Sequence, residues 1–245
     1  TTLKELNLHS NVLGPKGGAA IAEGLEGNTA LKELNLDDNA ISGVDKFGLG
    51  GTYTTEGIIK LCEALKASAV TSLSVEGNGL GVEGGMAFAA VLKDTQITNL
   101  NISNNNLAGE TDFVNKSKVE GSSFEVGAKV TYEGRKMTVS KAPDSDGDME
   151  MVDWSGVLAF TASLPECKSL TSLNVSGNGL RVEGAKAFAA VLKDTQLTHL
   201  NVEDNGLGVE GGMAFAAVLK DTQLTNLNLE ANDLGPMGGA AIAKG

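Results

Sequence analysis

The stretch NGLGVEGGMAFAAVLKDTQ, Asn78–Gln96, recurs letter for letter at Asn205–Gln223, and a near copy, NGLRVEGAKAFAAVLKDTQ, lies between them at Asn178–Gln196. A chain carries such copies when each meets nearly the same neighbours. That condition holds in a stack of like units and not in an ordinary globular core. Aligning outward from these copies gives seven units that read L-x-x-L-x-L-x-x-N-x-L, with Val or Ile at some Leu positions. Their leading leucines are Leu6, Leu34, Leu73, Leu100, Leu173, Leu200 and Leu227. Undisturbed neighbours are 27 or 28 residues apart.

Within L-x-L the side chains alternate, so the leucines face a core and the x residues face out. The run that follows, GVEGGMAFAAVLKDT, has apolar residues at helical spacing with Gly before them and Lys-Asp-Thr after. Each unit is therefore a short strand, a turn and a helix. No unit can bury its apolar side alone, but stacked neighbours bury a continuous core. The period and pattern predict an α/β leucine-rich repeat solenoid over residues 1–245. It is a horseshoe of about seven repeats, with parallel strands on the concave face and helices on the convex face. The Asn five residues after each leading Leu recurs in all seven units: Asn11, Asn39, Asn78, Asn105, Asn178, Asn205 and Asn232. It is read as a structural ladder that pairs backbone groups of its own turn and the next.

The units resemble the ribonuclease-inhibitor subtype of leucine-rich repeat. That resemblance implies a protein-binding surface. One branch of the class, the Ran GTPase-activating proteins, acts on a GTPase without holding the nucleotide, which gives a second functional reading.

Bulk properties narrow the classes. The net charge is −12 and the pI about 4.6, which disfavours nucleic acid, because phosphate backbones are repelled. No apolar run approaches the roughly 18 residues that cross a membrane. Only two cysteines, Cys62 and Cys167, occur, in different units, so no disulfide is expected and a reducing, cytoplasmic setting fits. Thr1 opens at a strand and the chain stops in a helix, with no polar capping unit at either end. The chain is read as cut from a longer solenoid or as packing end to end on copies of itself, a third functional reading.

Several motifs fail on inspection. Gly79–Gly84 and Gly206–Gly211 fit G-x-G-x-x-G, but the Leu inside each is the repeat's own core Leu. Asp144, Asp146 and Asp148 echo a calcium loop. Met149 stands where that loop needs Gly and Ser155 where it needs Glu, so a solvated hairpin turn is expected. His9 and His199 sit in distant repeats and build no catalytic set. No cofactor is expected, nor catalysis.

The pattern breaks twice. Residues 43–55 insert a short loop in repeat two, and residues 109–152 insert a longer segment in repeat four. The second contains AKVTYEG, RKMTVSKAP and DMEMV, divided by turn residues, and is read as a three-stranded β-meander. It is basic early (Lys116 to Lys141) and acidic late (Asp144 to Asp153). Repeat five departs from its copies at Arg181, Ala185 and Lys186. Arg181 and Lys186 are expected to dock the acidic end of the insertion.

Two surfaces compete for a partner. The outward strand positions, among them Asp37, Glu76, His199, Glu203 and Glu230, are polar and acidic and suit a basic protein. The rare anchor types gather in or beside the insertions instead: Tyr53, Tyr132, Trp154, Arg135 and Arg181, with Lys136 next to Arg135. Verbatim copies, by contrast, are expected to be poor candidates for a unique site. The primary functional reading is a non-catalytic protein–protein interaction scaffold that uses the insertions, the acidic face, or both.

Overall fold

The leading leucines sit side by side. In the computed structural model, which describes residues 2–111 and 113–245, Leu6, Leu34, Leu73, Leu100, Leu173, Leu200 and Leu227 are consecutive register partners in one parallel sheet. Its strands are β1 (Glu5–Asn7), β2 (Glu33–Asn35), β3 (Ser72–Ser74), β4 (Asn99–Asn101), β9 (Ser172–Asn174), β10 (His199–Asn201) and β11 (Asn226–Asn228), in that spatial order. The helices are α1 (Gly14–Leu25), α2 (Glu56–Lys66), α3 (Gly81–Val91), α4 (Ser155–Ser163), α5 (Arg181–Val191), α6 (Gly208–Ala216) and α7 (Gly235–Ile242). Each packs on the next to form the second layer.

The core lies between these layers. Strand leucines meet one large residue per helix: Leu61, Phe88, Phe160, Phe188 and Phe215 occupy the same repeat position and are fully buried. Four of the seven phenylalanines are thus accounted for by the repeat. Both cysteines are buried and free. Burial pushes the Cys167 thiol up to about 11 and raises that of Cys62 further.

The recurring Asn ties the layers together. The Asn105 side chain accepts from the amides of Asn78 (2.8 Å) and Leu80 (3.3 Å). It donates to the carbonyls of Val75, Ile102 and Ser103, each at 3.0 Å. Asn39, Asn78, Asn178, Asn205 and Asn232 repeat the arrangement. The second turn each one serves is the preceding one, not the next as expected: every amide reaches back toward the N-terminal neighbour. Asn11, which opens the series, reaches only Leu8 and His9 of its own turn and is exposed. In all seven turns the residues on both sides of the Asn have left-handed backbone, and those residues are Gly, Asn, Asp, Ser, Val or Ala. This conformation turns the strand sharply into the next helix.

The long insertion is a sheet of its own. Its strands are β5 (Val114–Asn115), β6 (Lys129–Tyr132), β7 (Arg135–Lys141) and β8 (Asp148–Val152), antiparallel in the order β5-β8-β7-β6. The expected three-stranded meander is therefore extended by a fourth strand. A two-residue strand has no visible alternation. It is fixed instead by the Asn115 amide, which donates to the Asp146 carbonyl (2.9 Å) and the Asp148 carboxylate (3.0 Å). The chain then crosses to the far edge, where Glu120 pairs with Thr131. Val119, Val130, Met137, Val139, Met149 and Met151 form a separate core. The neck closes where the Thr111 amide donates to Met151 (2.9 Å), and Val152 already belongs to the solenoid core.

Removing the Asn105 amide takes a partner from five backbone groups and leaves three of them, the Asn78 and Leu80 amides and the Val75 carbonyl, with none. Asn105→Ala is expected to cost about 3–5 kcal/mol, whereas Asn11→Ala, whose side chain is exposed and bonds only its own turn, is expected to cost less than about 1 kcal/mol. Urea unfolding of the two variants checks this contrast.

Candidate functional site: a cleft between the insertions

The turns after the strands form one edge of the solenoid, and both insertions grow from that edge. Between them lies a cleft of about 840 Å³. The first insertion contributes Lys46, Phe47 and Tyr53, and the second contributes Phe113, Tyr132 and Arg135. The turn residues of repeats three to five, among them Gly79, Asn104 and Gly179, line it between the two. A second cavity of about 560 Å³ shares Asn104, Glu110, Gly177 and Gly179 with the first and continues to Asp204 and Gly206 of repeat six. Together they make a groove along the turn edge.

Two ion-pair clasps hold the long insertion there. At the first, Arg135 pairs with Glu83 of α3, and the single Tyr53 hydroxyl proton is shared between the same carboxylate (3.0 Å) and the Leu80 carbonyl (2.8 Å). Glu83 therefore joins both insertions to repeat three. Burial first, and then the Glu83 charge, push the Tyr53 phenol well above the ordinary tyrosine value, so it stays a neutral donor. At the second clasp, the Arg181 Nε lies 2.5 Å from Glu110, and its guanidinium lies 3.7 Å from Glu150 on β8. Arg181 stands where the copies have Gly and keeps their left-handed backbone, with φ at 49°. A non-glycine residue there costs about 1–2 kcal/mol. The strain is local to the residue that reaches the insertion.

The other expected docking residue is corrected. Among the described residues Lys186 makes no ion pair or hydrogen bond with the insertion; it reaches Glu210 (3.2 Å) and Glu183 (3.8 Å) on the helix side. One turn of α5 past Arg181, its side chain points toward the neighbouring helix. Lys136 likewise stands outside the cleft and donates to Thr131 (3.1 Å). Arg135 and Lys136 are adjacent on a strand, so they project to opposite faces. Tyr132 is half-buried against the insertion's own core and lines the cleft.

The acidic strand face is less free than its sequence indicates. Asp37 is only 9% exposed; it accepts from the Ser74 hydroxyl (2.6 Å) and the Glu76 amide (2.7 Å). Strict alternation placed it outward, but the chain has already left the strand and tucks it under the next repeat. Burial raises the Glu76 carboxyl, yet hydrogen bonds from Asn101, Asn104 and Ser103 outweigh it and hold the group below the usual carboxylate range. Glu203 accepts from Asn228 (3.0 Å). His199, with its ring on Thr198 (2.9 Å), and Glu230 remain exposed. Asp144 accepts from the Asp146 and Asp148 amides (2.9 and 3.0 Å), so its carboxylate closes the turn. Among the described residues no group of three or more His, Cys, Asp or Glu is placed to hold a metal.

Four participants escaped the sequence reading. Phe47 and Phe113 are 70% and 60% exposed, and each carries a lysine over its ring, Lys46 at 5.5 Å and Lys141 at 4.6 Å. Their signal was present: they are phenylalanines off the repeat position. Glu83 and Glu110 were not singled out. Glu83 is a copied residue, repeated as Glu210, and its special role comes from what the insertion brings to it.

That difference is testable. Glu83→Gln is expected to raise the rate of limited proteolysis within residues 109–152 several-fold, since partly exposed ion pairs contribute up to about 1 kcal/mol. Glu210→Gln, the same change in the copy, is expected to leave the rate unchanged.

Comparison with known proteins places this arrangement. A model of the leucine-rich repeat family matches residues 1–22, 27–45, 68–89, 166–189 and 193–216. No curated protein matches significantly. Among solved structures, the chain is similar to the leucine-rich repeat-containing protein LegL7 of Legionella pneumophila. The identity is 18% and the TM-score 0.49, over 98% of this chain and 58% of that one, so this chain spans less than two thirds of that protein's length. It is also similar to the tropomodulin C-terminal domain of Caenorhabditis elegans, with 11% identity and a TM-score of 0.47, over 84% of this chain and 92% of that one. No helix among the described residues is long and apolar enough to cross a membrane. Solenoids of this kind are generally protein-interaction scaffolds. With seven in-register strand–turn–helix units and matches to the leucine-rich repeat family model in five of them, the chain has the leucine-rich repeat solenoid fold.

Proposed function

We propose that the protein is a non-catalytic interaction scaffold whose partner binds in the cleft between the two insertions. One observation carries this reading. Of the seven phenylalanines, four fill the repeat core, and two of the other three stand exposed in this one cleft, one from each insertion. Exposing two large rings to water is unfavourable, at about 25 cal/mol per Å² of apolar surface, and a partner removes that cost. Aromatic anchors in a concave site are the usual centres of binding energy. The clasps through Glu83 and Arg181 favour the same reading, because they fix the walls in advance and lower the entropy lost on binding. The partner is a protein, and the units themselves belong to the ribonuclease-inhibitor subtype on their 27- to 28-residue period.

The test replaces the anchors without disturbing either core. Phe47→Ser and Phe113→Ser are each expected to weaken capture of the native partner by about 10- to 100-fold, the range of a hot-spot residue. Quantitative pull-down from native lysate, with circular dichroism to verify folding, provides the measurement. Retention of the partner by the double variant would place binding on the strand face or the helices instead.

A further inference from the structure

We infer that the groove accepts an extended polypeptide segment bearing arginine side chains. This rests on the cleft being the partner site and adds the chemistry of what fills it. Five carboxylates line the larger cavity, Asp45, Glu83, Glu110, Glu133 and Glu150, against two cations, Lys46 and Arg135. Arg181 and Lys141 reach in to pair with Glu110 and Glu150, and Arg135 is held by Glu83.

Two lining carboxylates then have no cationic partner among the described residues, Asp45 and Glu133. They belong to different insertions, and each has an aromatic ring close by in sequence. Asp45 lies two residues before Phe47, and Glu133 follows Tyr132. Asp204, in the adjoining cavity, is a third carboxylate with no cationic partner among the described residues.

The exposed rings already receive cations. Lys46 and Lys141 lie over Phe47 and Phe113, so the geometry for a positive charge against each ring exists in the free protein. A guanidinium stacks on an aromatic face and forks onto a carboxylate at once, which an ammonium does poorly. Arginine therefore matches the repeated pairing of ring and unpaired carboxylate. An extended backbone matches the rest, because the two adjoining cavities run on over the turns of repeats three to six. The net charge of −12 draws such a segment in from a distance.

Fluorescence anisotropy tests this with three labelled eight-residue peptides that alternate Leu with Arg, Lys or Glu. The Arg peptide is expected to bind, with an affinity that falls as salt rises. The Lys peptide is expected to bind at least several-fold more weakly, and the Glu peptide not measurably. The Phe47→Ser/Phe113→Ser double variant keeps the net charge and is expected to lose at least tenfold for the Arg peptide. Asp45→Asn/Glu133→Gln, in which Asn retains the acceptor for the Phe47 and Leu49 amides, is expected to lose several-fold and to bind with a shallower salt dependence.

Equal binding of Arg and Glu peptides would overturn the inference. So would Arg-peptide binding unchanged in the Phe double variant, which would reveal general charge attraction. Failure of the Arg peptide, while the native partner still depends on Phe47 and Phe113, would sink the arginine assignment and leave the cleft reading intact. Loss of that dependence in the native partner would sink the cleft reading itself.

Discussion

One buried amide in each repeat from the second onward holds this protein in register. The Asn side chain has an acceptor and two donor hydrogens, and in a sharp turn the backbone of two successive units leaves matching groups unpaired. Each amide from Asn39 onward satisfies both turns at once, so a repeat cannot shift without leaving polar groups buried and unbonded. That constraint survives the long insertion. The Asn178 side chain accepts from the Asn105 amide (3.1 Å) across 73 residues of sequence and donates to the Ile102 carbonyl (3.0 Å). The ladder links neighbours in space, so sequence may be added at a turn without breaking it.

The candidate site follows from where sequence can be added. Strands and helices are packed on their neighbours, whereas the strand-to-helix turns have room for added sequence. Both insertions emerge there, and their walls convert a row of small turn residues into a groove. The walls stand because the solenoid meets them with charge: Glu83 for Arg135 and Tyr53, Arg181 for Glu110 and Glu150. Glu83 has an identical copy in Glu210, which pairs with Lys186 on the helix side. A repeated residue thus acquires a unique task from its surroundings. The left-handed Arg181 is the opposite case, a change of sequence at a position where the backbone asks for glycine.

The solenoid was legible because its signals are periodic. Seven leucines, 27 or 28 residues apart except across the two insertions, fixed strand order and register, and Asn at a constant offset marked the turns. The insertion's hairpins were legible from alternation and turn residues, but its two-residue first strand was not, since two residues show no period. Asp37 was misjudged because alternation was carried past the end of the strand. Lys186 was misjudged because proximity in sequence to Arg181 says nothing about which way a helical side chain points. The cleft itself was invisible: it arises between segments some 60 residues apart. Phe47 and Phe113 could have been found by asking which phenylalanines the repeat does not use.

The central claim is that one unbroken solenoid runs beneath the insertion and supports both walls of the groove. Site-resolved native-state hydrogen exchange at the amides of Asn105 and Leu107 tests it most directly, because both donate to the Asn178 side chain across the junction. The account predicts that they exchange only as slowly as the most protected core amides of repeats five and six. Fast exchange at these two amides, with repeats five and six still protected, would mean that the chain is two stacks joined at the insertion and would contradict it.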